Sequence, residues 1–137
     1  MRVTLIRPPA YSVGLMGAQL VPFLGIAYIG AAAREAGHSV DIVDMCGENI
    51  THTEIVRDNF VAYGMPLASL KTRIKPSDIF GITSSFSQEW IFHRELIQYI
   101  RNLFPESVIV AGGEHISALP EYCLNSCPEL DFCIVGE

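Results

Sequence analysis

The chain has 137 residues, one domain's length, and half of them are hydrophobic while 18% are charged, a balance that excludes disorder. Nine Lys and Arg against fifteen Asp and Glu leave a net charge of -6, so no global positive field draws nucleic acid or an anionic membrane. Pro8 to Ala33 carries no charge, but prolines and glycines break its first half and the apolar run Leu20 to Ala33 is shorter than the ~20 residues of a span. No secretory leader pattern stands at the N-terminus, so Cys46, Cys123, Cys127 and Cys133 read as reduced thiols of a cytoplasmic protein.

In chain order, Val3 to Ile6 is a β-branched apolar strand closed by Arg7-Pro8-Pro9. Pro22 opens an almost all-round apolar helix that runs to Gly37 and must be covered on most sides. Ser39 to Val43 is the second strand. Residues 44 to 77 form a variable insert with helical patterns at Glu54 to Val61 and Leu67 to Ile74. Asp78 to Ile82 is the third strand, ending in Thr83-Ser84-Ser85, and Ser85-x-x-Gln88 has the spacing of a capping box. Trp90, Phe92, Leu96, Ile97, Ile100, Leu103 and Phe104 then mark an amphipathic helix stopped by Pro105. Val108 to Ala111 is a short strand before Gly112-Gly113, Pro120 opens a last helix to about Asn125, and Phe132 to Val135 is the fifth strand.

Short strands that are apolar on both faces and alternate with helices predict an α/β fold. It is a flavodoxin-like, Rossmann-like, doubly wound five-stranded parallel sheet in three α/β/α layers, a single domain over residues 1–137. Ligands of such sheets bind beyond the carboxyl ends of the strands at the topological switch point. Chemistry is therefore expected in the segments after strands one, three and four: Arg7 to Gln19, Thr83 to Ser87 and Gly112 to Ser117.

Gly112-Gly113 allows close approach of a ligand, or else simply a tight turn; Thr83-Ser84-Ser85 offers hydroxyls, or else a helix cap. Glu114 and His115 stand where an acid and base would act in a small-molecule enzyme of this fold. Cys123 and Cys127 with Cys133 match no usual zinc spacing and read as buried thiols. Phosphate-loop, dinucleotide, nucleophile-elbow and zinc-protease signatures are absent from the sequence.

Several blocks together resemble the cobalamin-binding domain that precedes the catalytic barrel of B12-dependent radical SAM enzymes. They are Arg7-Pro8-Pro9, Pro22 to Ile29 continuing through Arg34-Glu35-Ala36-Gly37-His38, Lys75 to Thr83, Val110 to His115 with Pro120-Glu121, and Asp131 to Glu137. The resemblance implies that cobalamin lies at the strand ends, with Pro8, Pro9, Thr83, Ser84, Ser85, Gly112, Gly113, Glu114 and His115 as the matching positions. None of His38, His52, His93 or His115 follows an Asp two residues earlier, so the Asp-x-His-x-x-Gly cobalt-ligand motif is absent. The resemblance thus implies cobalt without a protein histidine, its lower face covered by water or by the loop Tyr11 to Gln19.

The [4Fe-4S] cluster and S-adenosylmethionine of such enzymes belong to a downstream barrel, in cis or in trans. Leu130 stands where the third Cys of a Cys-x3-Cys-x2-Cys motif begun at Cys123 would fall, so the cluster motif is not in this chain. The chain is expected to bind cofactor without itself turning over substrate, for methyl transfer or radical rearrangement or cyclisation. A scaffold or interaction domain that has lost cobalamin is the other expectation.

Overall fold

The computed structural model describes residues 1–14 and 22–136. Five parallel strands form the main sheet: β1 (Arg2–Arg7), β3 (Ser39–Asp44), β6 (Ile79–Thr83), β7 (Val108–Gly112) and β8 (Phe132–Ile134), in the order β3-β1-β6-β7-β8. The chain steps one way from β1 to β3 and the other way from β6 to β8, so the switch point lies between β1 and β6. This is the flavodoxin-like doubly wound sheet that the sequence predicts.

Alternation splits the sheet into two unlike faces. Ile6, Val43, Phe80, Ile82, Ile109 and Ala111 point to one side, where they form the core with Leu70 of α2 (Leu67–Arg73), Leu96, Ile97 and Ile100 of α3 (Trp90–Leu103) and Cys123 of α5 (Pro120–Ser126). The opposite side carries α1 (Leu24–Glu35), whose Gly30 comes so close that a Cβ there would stand 2.8 Å from the Ile42 side chain. Leu5, Gly81 and Val110 share that side. So do Phe132 and Ile134, which pair with Val110 and Gly112 and remain 58% and 55% exposed.

The expectation of a helix covered on most sides is corrected at α1. Gly30 is its buried residue, while Leu24, Tyr28 and Ile29 are exposed. The small residues that make the pattern apolar let the helix lie flat on β1 and β3, and nothing among the described residues packs on its outer side.

The insert is only half helical. Leu67–Arg73 is α2 as predicted, but the helix expected at Glu54 to Val61 is a hairpin of β4 (Thr53–Arg57) and β5 (Phe60–Tyr63). Ile55, Val56, Phe60 and Val61 prefer extended backbone. Asp58 and Asn59 both take positive φ, +44° and +70°, which is the two-residue turn whose twist suits a hairpin. β5 also pairs antiparallel with β2 (Ala10–Val13), a strand formed by residues expected to be loop, giving a second sheet in the order β2-β5-β4.

The capping box is a further correction. No side-chain hydrogen bond caps α3, and a short 3-10 turn over Ser87–Glu89 leads into it. The serine hydroxyls on either side of Ser85 face inward: Ser84 Oγ lies 2.8 Å from His93 Nδ1, and Ser87 Oγ lies 2.9 Å from His115 Nδ1. A five-residue helix, α4 (Glu114–Ala118), occupies a segment to which the sequence assigned no element. Cys123 and Cys127 are buried as expected, Cys133 is only half-buried, and Cys46 is buried as well. No helix among the described residues is long and apolar enough to cross a membrane.

Candidate functional site

At the carboxyl ends of β1 and β6 the two sheets part and leave a cleft of about 530 Å³. The chain builds it because Pro8 and Pro9 end β1 and turn the backbone up into β2, whose Tyr11, Ser12 and Val13 form one wall. Thr83, Ser85 and Phe86, where β6 leads to α3, form the opposite wall. Phe23, just before α1, closes one side, with the Arg7 guanidinium 4.8 Å from its ring centroid. Arg7 is buried, and its Nη1 reaches both Asp44 carboxylate oxygens at 3.2 and 3.3 Å.

Glu89 and His93, one turn apart at the start of α3, line the same cleft. Glu89 is 9% exposed. Its Oε1 accepts the Tyr11 backbone N–H at 3.1 Å, tying β2 to α3, and the Tyr11 ring stacks on Phe92 at 4.2 Å between centroids. Burial pushes the Glu89 carboxyl up to about 7, opposed by the Tyr11 N–H and by Arg7. Burial, with a smaller contribution from His115, lowers His93 to about 3. The 3.8 Å approach of His93 Nε2 to Glu89 Oε2 therefore involves a neutral imidazole, and it is not an ion pair near neutral pH. Burial followed by Glu89 also raises the Tyr11 hydroxyl.

The positions singled out from sequence divide into two groups. Pro8, Pro9, Thr83 and Ser85 line the cleft. Ser84 lies beneath it, fully buried, with its N–H on Gly112 O at 2.8 Å and its own carbonyl accepting the His115 N–H at 3.2 Å. Gly112, Gly113, Glu114 and His115 are not among the cleft residues.

Gly113, at φ +116°, instead presses against the next segment, where a Cβ would stand 2.5 Å from Ser84 O. Glu114 is exposed at the start of α4. His115 is 3% exposed, with Nδ1 on Ser87 and Nε2 3.4 Å from Cys123 Sγ. Both of its ring nitrogens are engaged inside the fold, which leaves it no substrate-facing role as a base. Burial pushes the Cys123 thiol up to about 11 and Cys127 to about 12, so neither is a thiolate near neutral pH. Among the described residues no group of three or more His, Cys, Asp or Glu could hold a metal ion.

Sequence reasoning missed Glu89 and His93, and it placed Tyr11 only within the loop expected to cover the lower face. The available signal was the i, i+4 pair Glu89 and His93 at the end of α3 nearest the strand carboxyl ends, where an acid and an imidazole face the switch point.

Comparison with known proteins matches the B12 binding domain model over residues 16–137. The chain belongs to the B12-binding domain family. This B12-binding domain is 30% identical, over its whole length, to an uncharacterized methyltransferase of Pyrococcus horikoshii, covering 27% of that protein. It is 31% identical over 83% of its length to cytidylyl-2-hydroxyethylphosphonate methyltransferase of Streptomyces wedmorensis, covering 22% of that protein. It is also 29% identical over its whole length to the anaerobic magnesium-protoporphyrin IX monomethyl ester cyclase of Synechocystis, covering 25% of it. The B12-binding domain thus spans about a quarter of the length of these relatives.

Proposed function

We propose that this B12-binding domain holds cobalamin with the corrin against the cleft between β1, β2 and β6, as the cofactor module of a radical SAM enzyme. The observation that carries the reading is the cleft itself: it lies at the switch point of a B12-binding domain and is walled by Pro8, Pro9, Tyr11, Phe23 and Phe86, with a few polar groups at its floor. That mixture suits a large, mostly apolar ring system with a polar rim. Bound there, cobalamin would supply a cobalt centre able to carry a methyl group or assist a radical reaction.

Pro8, Pro9, Thr83 and Ser85 are the sequence-derived positions that would touch it. Gly112, Gly113 and His115 would support the cleft through Ser84 and Ser87, whereas Glu114 is exposed at the start of α4. Engagement of both His115 nitrogens removes it as a cobalt ligand and His38 precedes β3 at the far end of the sheet, which leaves His93, held through Nδ1 by Ser84, as the histidine that lines the cleft. Of the proposed lower cover, Tyr11 to Gln19, residues 15–19 lie outside the described residues, and Tyr11 to Val13 is β2. The [4Fe-4S] cluster, S-adenosylmethionine and substrate would be handled by a radical SAM domain in cis or in trans. The names of the relatives, two methyltransferases and a cyclase, support both reaction types kept open from the sequence.

Hydroxocobalamin mixed with the chain and passed through a desalting column is expected to leave about one equivalent on the protein. Colourless protein would overturn cobalamin binding and favour the scaffold reading. A visible spectrum showing histidine on cobalt would overturn the histidine-free coordination alone.

A further inference from the structure

Glu89 is the feature of the cleft that the fold does not account for. It places a carboxyl, nine-tenths buried, in a site with apolar walls, and the fold uses only one of its oxygens, Oε1, to hold Tyr11 N. Oε2 makes no hydrogen bond among the described residues, and His93 Nε2 stands 3.8 Å from it, beyond hydrogen-bond reach. Arg7 is charge-paired with Asp44, and His93 is bonded to Ser84, so no counterion is committed to Glu89. An oxygen that faces a cleft with apolar walls loses its water when a ligand enters, and it is stabilised only if that ligand supplies a partner.

We propose that Glu89 is a ligand-binding residue that recognises a primary carboxamide, one of those on the corrin rim, through Oε2. The inference rests on the cobalamin reading above and names a contact within it. A primary carboxamide carries an N–H donor and an oxygen acceptor on one carbonyl carbon. As a carboxylate, Oε2 accepts the amide N–H; as a carboxylic acid, it also donates to the amide carbonyl. The carboxyl, pushed to about 7, draws on both forms near neutral pH, and a carboxamide satisfies either one. An ester in the same place offers no N–H and leaves the carboxylate without its partner.

The test compares two probes, cobinamide, whose rim keeps its carboxamides, and cobyrinic acid heptamethyl ester, whose rim carries methyl esters. Each is titrated by visible absorbance into the unsubstituted chain, Glu89→Gln and Glu89→Leu, with far-ultraviolet circular dichroism confirming folding. The unsubstituted chain is expected to favour cobinamide by about tenfold or more, the scale of one hydrogen bond to a charged group. Glu89→Gln, which keeps a donor and an acceptor, should hold most of that preference, and Glu89→Leu should lose about tenfold in affinity for cobinamide while its affinity for the ester changes little.

Loss of affinity for both probes by the same factor in Glu89→Leu would overturn the contact and leave Glu89 a purely structural tie to Tyr11. So would cobinamide binding that is indifferent to both substitutions. If neither probe binds the unsubstituted chain, the cobalamin reading itself falls, and the carboxamide contact with it.

Discussion

Gly113→Ala is expected to destabilise the domain by about 3 to 5 kcal/mol, while Gly112→Ala, one residue earlier, should change stability by less than about 1 kcal/mol. At Gly113 two costs add. The backbone sits at φ +116°, and a Cβ would stand 2.5 Å from Ser84 O and 2.9 Å from Ser84 C, which are main-chain atoms that cannot swing aside. At Gly112 the same atom would meet Ile134 Cβ at 3.7 Å, an ordinary contact.

The damage at Gly113 would spread toward the site. Ser84 joins Gly112 O and the His115 N–H through its main chain, and its hydroxyl holds His93 at the cleft floor. Urea unfolding of the two variants measures the difference directly. Equal effects would show that the pair serves only as a flexible turn.

Glu89→Gln should stabilise the folded domain at pH 8 by about 2 kcal/mol and leave it unchanged near pH 4.5. The carboxyl stands at about 7 in the fold against an ordinary value of 4.5, so the folded state binds the proton more tightly. Its contribution is fully present below pH 4.5 and is lost as the pH rises through 7. Glutamine keeps an acceptor for Tyr11 N–H and has no proton to lose.

His93 works in the other direction. It falls from 6.5 to about 3, so its contribution is complete above pH 6.5 and is lost as the pH drops toward 3. Between pH 4.5 and 6.5 the two slopes oppose each other in the unsubstituted chain, whereas the glutamine variant should show the histidine slope alone. Urea midpoints across pH 4 to 8 would reveal this, and curves that coincide at every pH would refute the assignment to Glu89.

The five parallel strands were legible because each is a short apolar run bounded by Pro, Gly or polar residues. The second sheet was not. Ala10–Val13 follows two prolines in a stretch that looks like loop, and Asp58-Asn59 declares a hairpin only once it is seen as a turn between two β-branched runs. The cleft was readable as far as the strand-end rule reaches, which is Arg7 to Val13 together with Thr83, Ser85 and Phe86. Gly112-Gly113 satisfied the same rule, yet the space left by Gly113 is filled by the backbone of Ser84, a contact between residues distant in sequence. Glu89 and His93 were hidden because helical periodicity marks which side of α3 is apolar and says nothing of what its first turn overhangs.

The two halves of the main sheet differ in cover, and this grades its resistance to local opening. β1 has strands on both sides and packed residues on both faces, so its amides should exchange with solvent only when the whole domain unfolds. β8 is a three-residue edge strand with Phe132 and Ile134 facing outward, and it can fray alone at a fraction of that free energy. Because β1 and β6 carry the cleft, thermal fluctuation at the β8 edge is kept two strands away from the surface that would grip a ligand.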